Sequence, residues 1–106
     1  MRSFHLHLVS DSTGETVSSV ARASLAQFDH VVAEEHVWSL IRTHGQLDKM
    51  IASLDTYPGI VMFTLVDSEM REKLRQACGK RGLPCVPVLS HVIRELSNYL
   101  DQKASG

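Results

Sequence analysis

Between an apolar run that ends at Val9 and an amphipathic run that begins at Val17, the sequence reads Ser10-Asp11-Ser12-Thr13-Gly14-Glu15-Thr16. Small hydroxyl side chains, one glycine and a helix start are what a phosphate cradle needs. Backbone N–H groups point outward there, and the helix dipole favours an anion. Ser10, Ser12, Thr13 and Gly14 are therefore candidate phosphate-binding residues, with Arg42 as the candidate cation and Asp67 and Ser90 expected on the same rim. The same residues have a plainer use. Ser12 with Glu15 matches capping-box spacing, and such caps are common where a strand runs into a helix. Asp11 and Glu15 also place negative charge beside any anion held there. No residue stands out as catalytic, and no side chains are candidate metal ligands as a set.

Other reactive residue types have ordinary readings. His5 and His7 alternate along one strand and share a face; hydrogen-bonded, partly buried imidazoles account for them better than a metal, since no third ligand lies nearby in sequence. Cys78 and Cys85 match no metal-finger spacing and read as reduced thiols, one on a helix and one on a strand, with a redox pair as the lesser alternative. Arg71, Lys73, Arg75, Lys80 and Arg81 read as a solvated helix face, with Glu69 four residues before Lys73 as a stabilising pair. There is no G-x-x-x-x-G-K-[ST] loop, no G-x-S-x-G elbow and no H-E-x-x-H. A receiver domain would need paired acids after the first strand, where only Asp11 stands.

The elements that must position these residues follow from periodicity. Phe4–Val9 reads as a strand, followed by a helix with Val17, Val20, Ala21, Leu25 and Phe28 at helical spacing. A second strand covers Val31 to Trp38, and a second helix carries Leu47, Met50, Ile51 and Leu54 before Tyr57-Pro58-Gly59 stops it. Ile60 to Val66 is a continuous apolar run, as in a strand covered on both faces. A third helix spans Ser68 to Lys80, with Met70, Leu74 and Ala77 inward. Cys85–Leu89 is the fourth strand, and Val92, Ile93, Leu96, Tyr99 and Leu100 mark the last helix. Thr43 with Gln46 has capping-box spacing, and Asp67 and Ser90 are N-cap candidates.

Strict alternation of strand and helix implies an α/β, three-layer, doubly wound parallel sheet. Pro87 cannot donate to a ladder and Glu34 and Glu35 sit inside the second strand, so strands four and two take the edges. Right-handed crossovers then give the order 2-1-3-4, the flavodoxin-like half of such folds, whose ligands bind beyond the carboxyl ends of strands one and three.

Composition narrows the function classes. The 106 residues carry 11 basic and 12 acidic side chains, a net charge of −1, so no field exists to hold a nucleic acid. At 43% hydrophobic the chain is ordinary globular material of a length suited to a single α/β domain, residues 1–106. No apolar run approaches the roughly 20 residues of a membrane span, and Met1-Arg2-Ser3-Phe4-His5 is unlike a signal peptide, so the expected location is cytoplasmic.

The stretch His5-Leu6-His7-Leu8-Val9-Ser10-Asp11-Ser12-Thr13-Gly14-Glu15-Thr16 strongly resembles the start of the bacterial pyruvate, phosphate dikinase regulatory proteins. The resemblance continues in Glu35-His36-Val37-Trp38, Pro58-Gly59-Ile60-Val61, Thr64-Leu65-Val66-Asp67 and Pro84-Cys85-Val86. It implies a bifunctional, nucleotide-binding transferase: an ADP-dependent kinase of a threonine in the dikinase, and a phosphate-dependent phosphorylase that removes the group as pyrophosphate. Some members act on phosphoenolpyruvate synthase instead. The resemblance also implies that this chain is the amino-terminal domain of a longer protein whose phosphate-binding loop lies in a later region. ADP and phosphate would then serve the full-length protein, with no cofactor in this chain, which alone would be inactive; no catalytic residue carries over.

Two other readings compete. Ser12-Thr13-Gly14-Glu15-Thr16 also resembles the [ST]-T-G-x-T phosphate loop of flavodoxins, although Leu65-Val66-Asp67-Ser68 lacks the aromatic residue that frames a flavin. The third is a non-catalytic interaction domain. A homodimer through strand four or the last helix, with the rim left open, is expected in any case.

Overall fold

The computed structural model describes residues 1–104. Its elements run β1 (Arg2–Ser10), α1 (Glu15–Leu25), β2 (Val31–Trp38), α2 (His44–Thr56), β3 (Gly59–Thr64), α3 (Ser68–Lys80), β4 (Cys85–Pro87) and α4 (Ser90–Leu100). All neighbouring strands are parallel and the order is β2-β1-β3-β4. The chain thus forms the α/β three-layer sheet that the alternation, Pro87 and the paired glutamates imply.

Alternation along β1 divides the core between two faces. Leu6 and Leu8 point to one side and are buried with Val17 and Ala21 of α1. Val9 points to the other, joining Leu47, Met50 and Leu54 of α2 and Met70, Leu74 and Cys78 of α3 across Val61 and Phe63. Both edge strands are blunted, β2 by Glu34 and Glu35 and β4 by its three-residue length and Pro87.

Several boundaries differ from the sequence expectation. β1 starts at Arg2, since its N–H donates to the His30 carbonyl. β3 stops at Thr64, because the Val66 N–H turns away to the Asp11 carboxylate at 2.8 Å. β4 loses Val88 and Leu89 to a turn. α1 ends at Leu25, leaving Phe28 exposed. The largest difference is α4, expected to cover the sheet. None of its residues is buried, and Val92, Ile93, Leu96, Tyr99 and Leu100 are each at least 45% exposed. Its pattern is amphipathic, but the apolar face is largely exposed.

The helix starts divide as well. Thr43 and Gln46 form the full capping box, with Thr43 Oγ1 accepting from the Gln46 N–H at 3.1 Å and Gln46 Oε1 from the Thr43 N–H at 3.0 Å. Asp67 caps α3 by accepting from the Met70 N–H at 3.0 Å. Each cap contributes about 1 kcal/mol. The Ser12–Glu15 box does not form: Gly14 is the N-cap of α1, and no side chain caps that helix. Ser12 is committed elsewhere, its N–H donating to Ser10 Oγ and its carbonyl accepting from the Leu40 N–H. Ser90 is likewise the first helical residue of α4, behind an uncapped Leu89.

Candidate functional site

The loop between β1 and α1 is tied to its neighbours on both sides. Toward β2, the Ser12 carbonyl accepts from the Leu40 N–H at 2.8 Å and the Ser10 carbonyl from the Ile41 N–H at 2.9 Å. Leu40 is held at φ 56°, a left-handed conformation that costs a branched side chain on the order of 1 kcal/mol. Toward β3, the Asp11 N–H donates to the Thr64 carbonyl at 3.3 Å, and Asp11 Oδ2 accepts from the Val66 N–H at 2.8 Å. Asp11 is therefore a brace between two loops. Gly14 then turns into α1 at φ 90°, where an L side chain is strained.

Past this loop, between the carboxyl ends of β1, β3 and β4 and the flank of α4, lies a cleft of about 1020 Å³. Ser10, Ser12, Thr13 and Gly14 line it, as does Ser90. Because no side chain is used to cap α1, the hydroxyls of Ser12 and Thr13 stand exposed at the rim. Asp67 does not line the cleft and serves as the α3 cap. Arg42 also lies outside it. Its Nε donates to the Asp11 carbonyl at 3.0 Å, bracing the loop from behind.

The cations of the cleft are instead Arg71, Arg94 and Lys103. Arg71, which the sequence pattern assigns to a solvated helix face, sits in the first turn of α3, and its Nη1 donates to the Leu65 and Val66 carbonyls at 3.2 and 2.9 Å. The rest of that basic run does lie outward, paired differently from the i,i+4 expectation. Lys73 meets Asp48 of α2 at 2.6 Å, not Glu69, and Arg81 meets Asp55 at 2.9 Å, which holds the Asp55 carboxyl below its ordinary range. Sequence reasoning missed Arg94 and Lys103 because neither stands beside a strand end. Against these three cations the cleft sets two carboxylates, Asp11 and Glu15, so the acidic pair does not decide its sign.

The histidines form a separate cluster, on the α2 side of β1 and β2. His7 is fully buried; its Nε2 donates to the Tyr57 carbonyl at 2.8 Å, and its Nδ1 accepts from Trp38 Nε1 at 3.3 Å. Both nitrogens are used, and burial holds its pKa below the ordinary imidazole value, so the ring is neutral with its proton on Nε2. His36 stacks on it at 4.6 Å and shares a 3.0 Å hydrogen bond with His5. Among the described residues no three metal-ligating side chains are arranged to hold an ion. Both His7 nitrogens are thus hydrogen-bonded within the protein.

A parallel α/β sheet with an open, cation-lined cleft beyond its carboxyl edge is the architecture of doubly wound ligand-binding domains. Comparison with known proteins narrows this. Residues 6–106 match the kinase/pyrophosphorylase family, and the chain belongs to it. A pyruvate, phosphate dikinase regulatory protein of Paramagnetospirillum magneticum is 53% identical over 94% of this chain and 32% of its own length. Proteins of the same name from Chelativorans sp. and Ehrlichia chaffeensis are 46% and 50% identical, over 95% and 93% of this chain and 37% of their own lengths. The match is to the amino-terminal part of these relatives, and the chain spans about a third of their length. No helix of the described residues is long and apolar enough to cross a membrane.

Proposed function

We propose that this chain is the amino-terminal domain of a cytoplasmic, bifunctional regulatory phosphotransferase. Its full-length form uses ADP to phosphorylate a threonine of pyruvate, phosphate dikinase or phosphoenolpyruvate synthase, and uses phosphate to remove that group. The names of the relatives support the dikinase as target, and the family description supports a kinase paired with a pyrophosphorylase. Within this domain, the cleft beyond β1 and β3 binds a phosphate-bearing group. The observation that supports this reading is that Arg71, Arg94 and Lys103 line the same cleft as the exposed hydroxyl residues Ser12 and Thr13. Arg94 and Lys103 approach the phosphate, Ser12 and Thr13 donate O–H groups to it, and Arg71 also keeps the β3–α3 loop in place. Arg42 positions the β1–α1 loop and does not touch the ligand.

Phosphoryl transfer itself needs a group that holds a diphosphate and a metal ion together. The resemblance implies that the family's phosphate-binding loop lies in a later region, so this chain alone should transfer nothing. Calorimetric titration with ADP, pyrophosphate and phosphate tests the cleft. Loss of the Arg94 contact removes a charge-assisted hydrogen bond of about 1.5–3 kcal/mol, so Arg94→Ala should bind roughly 10- to 100-fold more weakly. Equal affinity of parent and variant for all three ligands would refute the assignment. Incubation with ADP, magnesium and the phosphohistidine form of the dikinase tests the second claim, and threonine phosphorylation above background would overturn it.

A further inference from the structure

Cys78 and Cys85 take no part in the cleft, yet the fold brings them together. Cys78 lies in the last turns of α3, wholly buried with Leu74 and Val61. Cys85 opens β4, half-buried, in register with Val61 and packed against the same cluster. The reversal between them is tight. The Leu83 N–H donates to the Cys78 carbonyl at 2.9 Å, the Gly82 N–H to the Gly79 carbonyl at 3.1 Å, and Gly82 turns at φ 66°. As a result both thiols lie beside Val61 in one cluster. The neighbouring Cys85 thiol and the Arg81 guanidinium favour the thiolate on Cys78, while Cys78 and burial push Cys85 up.

We propose that Cys78 and Cys85 are a redox-responsive dithiol, oxidised by a hydroperoxide to an intramolecular disulfide that ties edge strand β4 to α3. Cys85 is half-buried where Cys78 is wholly buried, so it is the residue that meets the peroxide. It attacks as its proton passes to the Cys78 sulfur; the O–O bond breaks, and Cys85 becomes a sulfenic acid as the first water or alcohol leaves, protonated by solvent. The Cys78 sulfur then attacks that of Cys85; the S–S bond forms and the S–O bond breaks. The departing hydroxide takes the Cys78 proton and leaves as water. Two electrons and two protons pass from the dithiol to the peroxide. The consequence reaches the cleft, because Pro87, Leu89 and Ser90, which follow the pair along the chain, form one of its walls. In the reduced protein that wall hangs on a three-residue strand flanked by hydrogen bonds of 3.0 Å (Val61 N–H to the Pro84 carbonyl) and 3.3 Å (Val88 N–H to the Phe63 carbonyl).

The full chain is treated with hydrogen peroxide, unfolded, alkylated and weighed, then mapped by peptide digestion. Both thiols should be lost together, with a mass lower by two hydrogens, a Cys78–Cys85 cross-linked peptide, and full recovery by dithiothreitol. In Cys78→Ala, Cys85 should instead run on to sulfinic acid that dithiothreitol does not reverse. Hydrogen exchange at the Val86 and Val88 amides should slow tenfold or more on oxidation. A wild-type chain whose Cys78 stays alkylatable while Cys85 is over-oxidised would overturn the proposal. So would cross-links only between chains, no reaction at either sulfur, or unchanged exchange along β4.

Discussion

Gly59 opens β3 directly opposite His5 in the β1–β3 ladder. A Cβ at this position would lie 2.0 Å from the His5 carbonyl oxygen, 2.7 Å from its carbonyl carbon and 2.9 Å from its Cβ. Carbon and oxygen settle no closer than about 3.3 Å, so more than an ångström must open. The obstructing atoms are backbone of a central strand and cannot swing aside as a side chain would. Moving them strains the ladder on both sides of β1, where His5 also pairs with Glu34 of β2 and bonds His36 at 3.0 Å. Overpacking costs about 1–3 kcal/mol, and one disrupted ladder hydrogen bond adds about 1 kcal/mol. Gly59→Ala should therefore destabilise by roughly 2–4 kcal/mol, a fall in Tm of roughly 8–32 °C for a domain of this size. Trp38, the single tryptophan, is half-buried on β2 and reports urea unfolding by its fluorescence. Gly79→Ala supplies the opposite sign. Nothing lies within 4 Å of its Cβ, and alanine in a helix gains about 0.5–1 kcal/mol over glycine. If Gly59→Ala unfolds within half a kcal/mol of the parent, the close approach of β1 and β3 is wrong.

Burial lowers the His7 pKa, so the unfolded chain binds more protons than the native one below the ordinary imidazole value of 6.5. Stability should be level above that pH and fall as the pH drops through it; His7→Gln keeps a donor for the Tyr57 carbonyl without titrating, and an equally steep acid limb in this variant would refute the cause. Purified protein should be colourless and leave flavin fluorescence unquenched at micromolar concentration, since Leu65-Val66-Asp67-Ser68 offers no aromatic frame; a yellow preparation would favour the flavodoxin reading. The exposed face of α4 should be covered by a second copy, so light scattering should show a dimer that Leu96→Lys converts to monomer. A strict monomer at high concentration in the parent would refute it. Val88 does not belong to that exposed face, since it packs against the cluster of Leu6, Leu8, Val17 and Ala21.

The strand order was legible because it rests on what a residue cannot do. Pro87 cannot donate to a ladder and the Glu34–Glu35 pair cannot be covered on both faces, so both constraints act whatever the rest of the chain does. Helix starts were legible only where the backbone leaves the expected residue at the N-cap. Thr43 and Asp67 cap as their types suggest, whereas the Ser12 backbone is bound into the loop network through Ser10 Oγ and Leu40, and Gly14 takes the N-cap of α1. Periodicity in α4 told truly that one face is apolar. It carries no information on what covers that face, which is why the expectation of a helix packed on the sheet failed for this element alone.

The candidate site divides along the same line. Ser10, Ser12, Thr13 and Gly14 are contiguous, so a single strand-to-helix junction places all four on the cleft, and sequence was enough to group them. The cations were not legible, because Arg71, Arg94 and Lys103 stand on separate parts of the chain and meet only through the 2-1-3-4 topology. Arg42 lies outside the cleft for a related reason. It does follow a strand at the correct end of the sheet, but β2 is an edge strand and its loop passes behind the β1–α1 loop. There the guanidinium finds the Asp11 carbonyl before it can reach the cleft. Asp11 shows the converse: a carboxylate that counted against an anion site is held by the Val66 N–H as a brace. Residue type and nearness to a strand end thus locate the rim, while the sign of its charge is set by which long side chains the topology leaves free to turn inward.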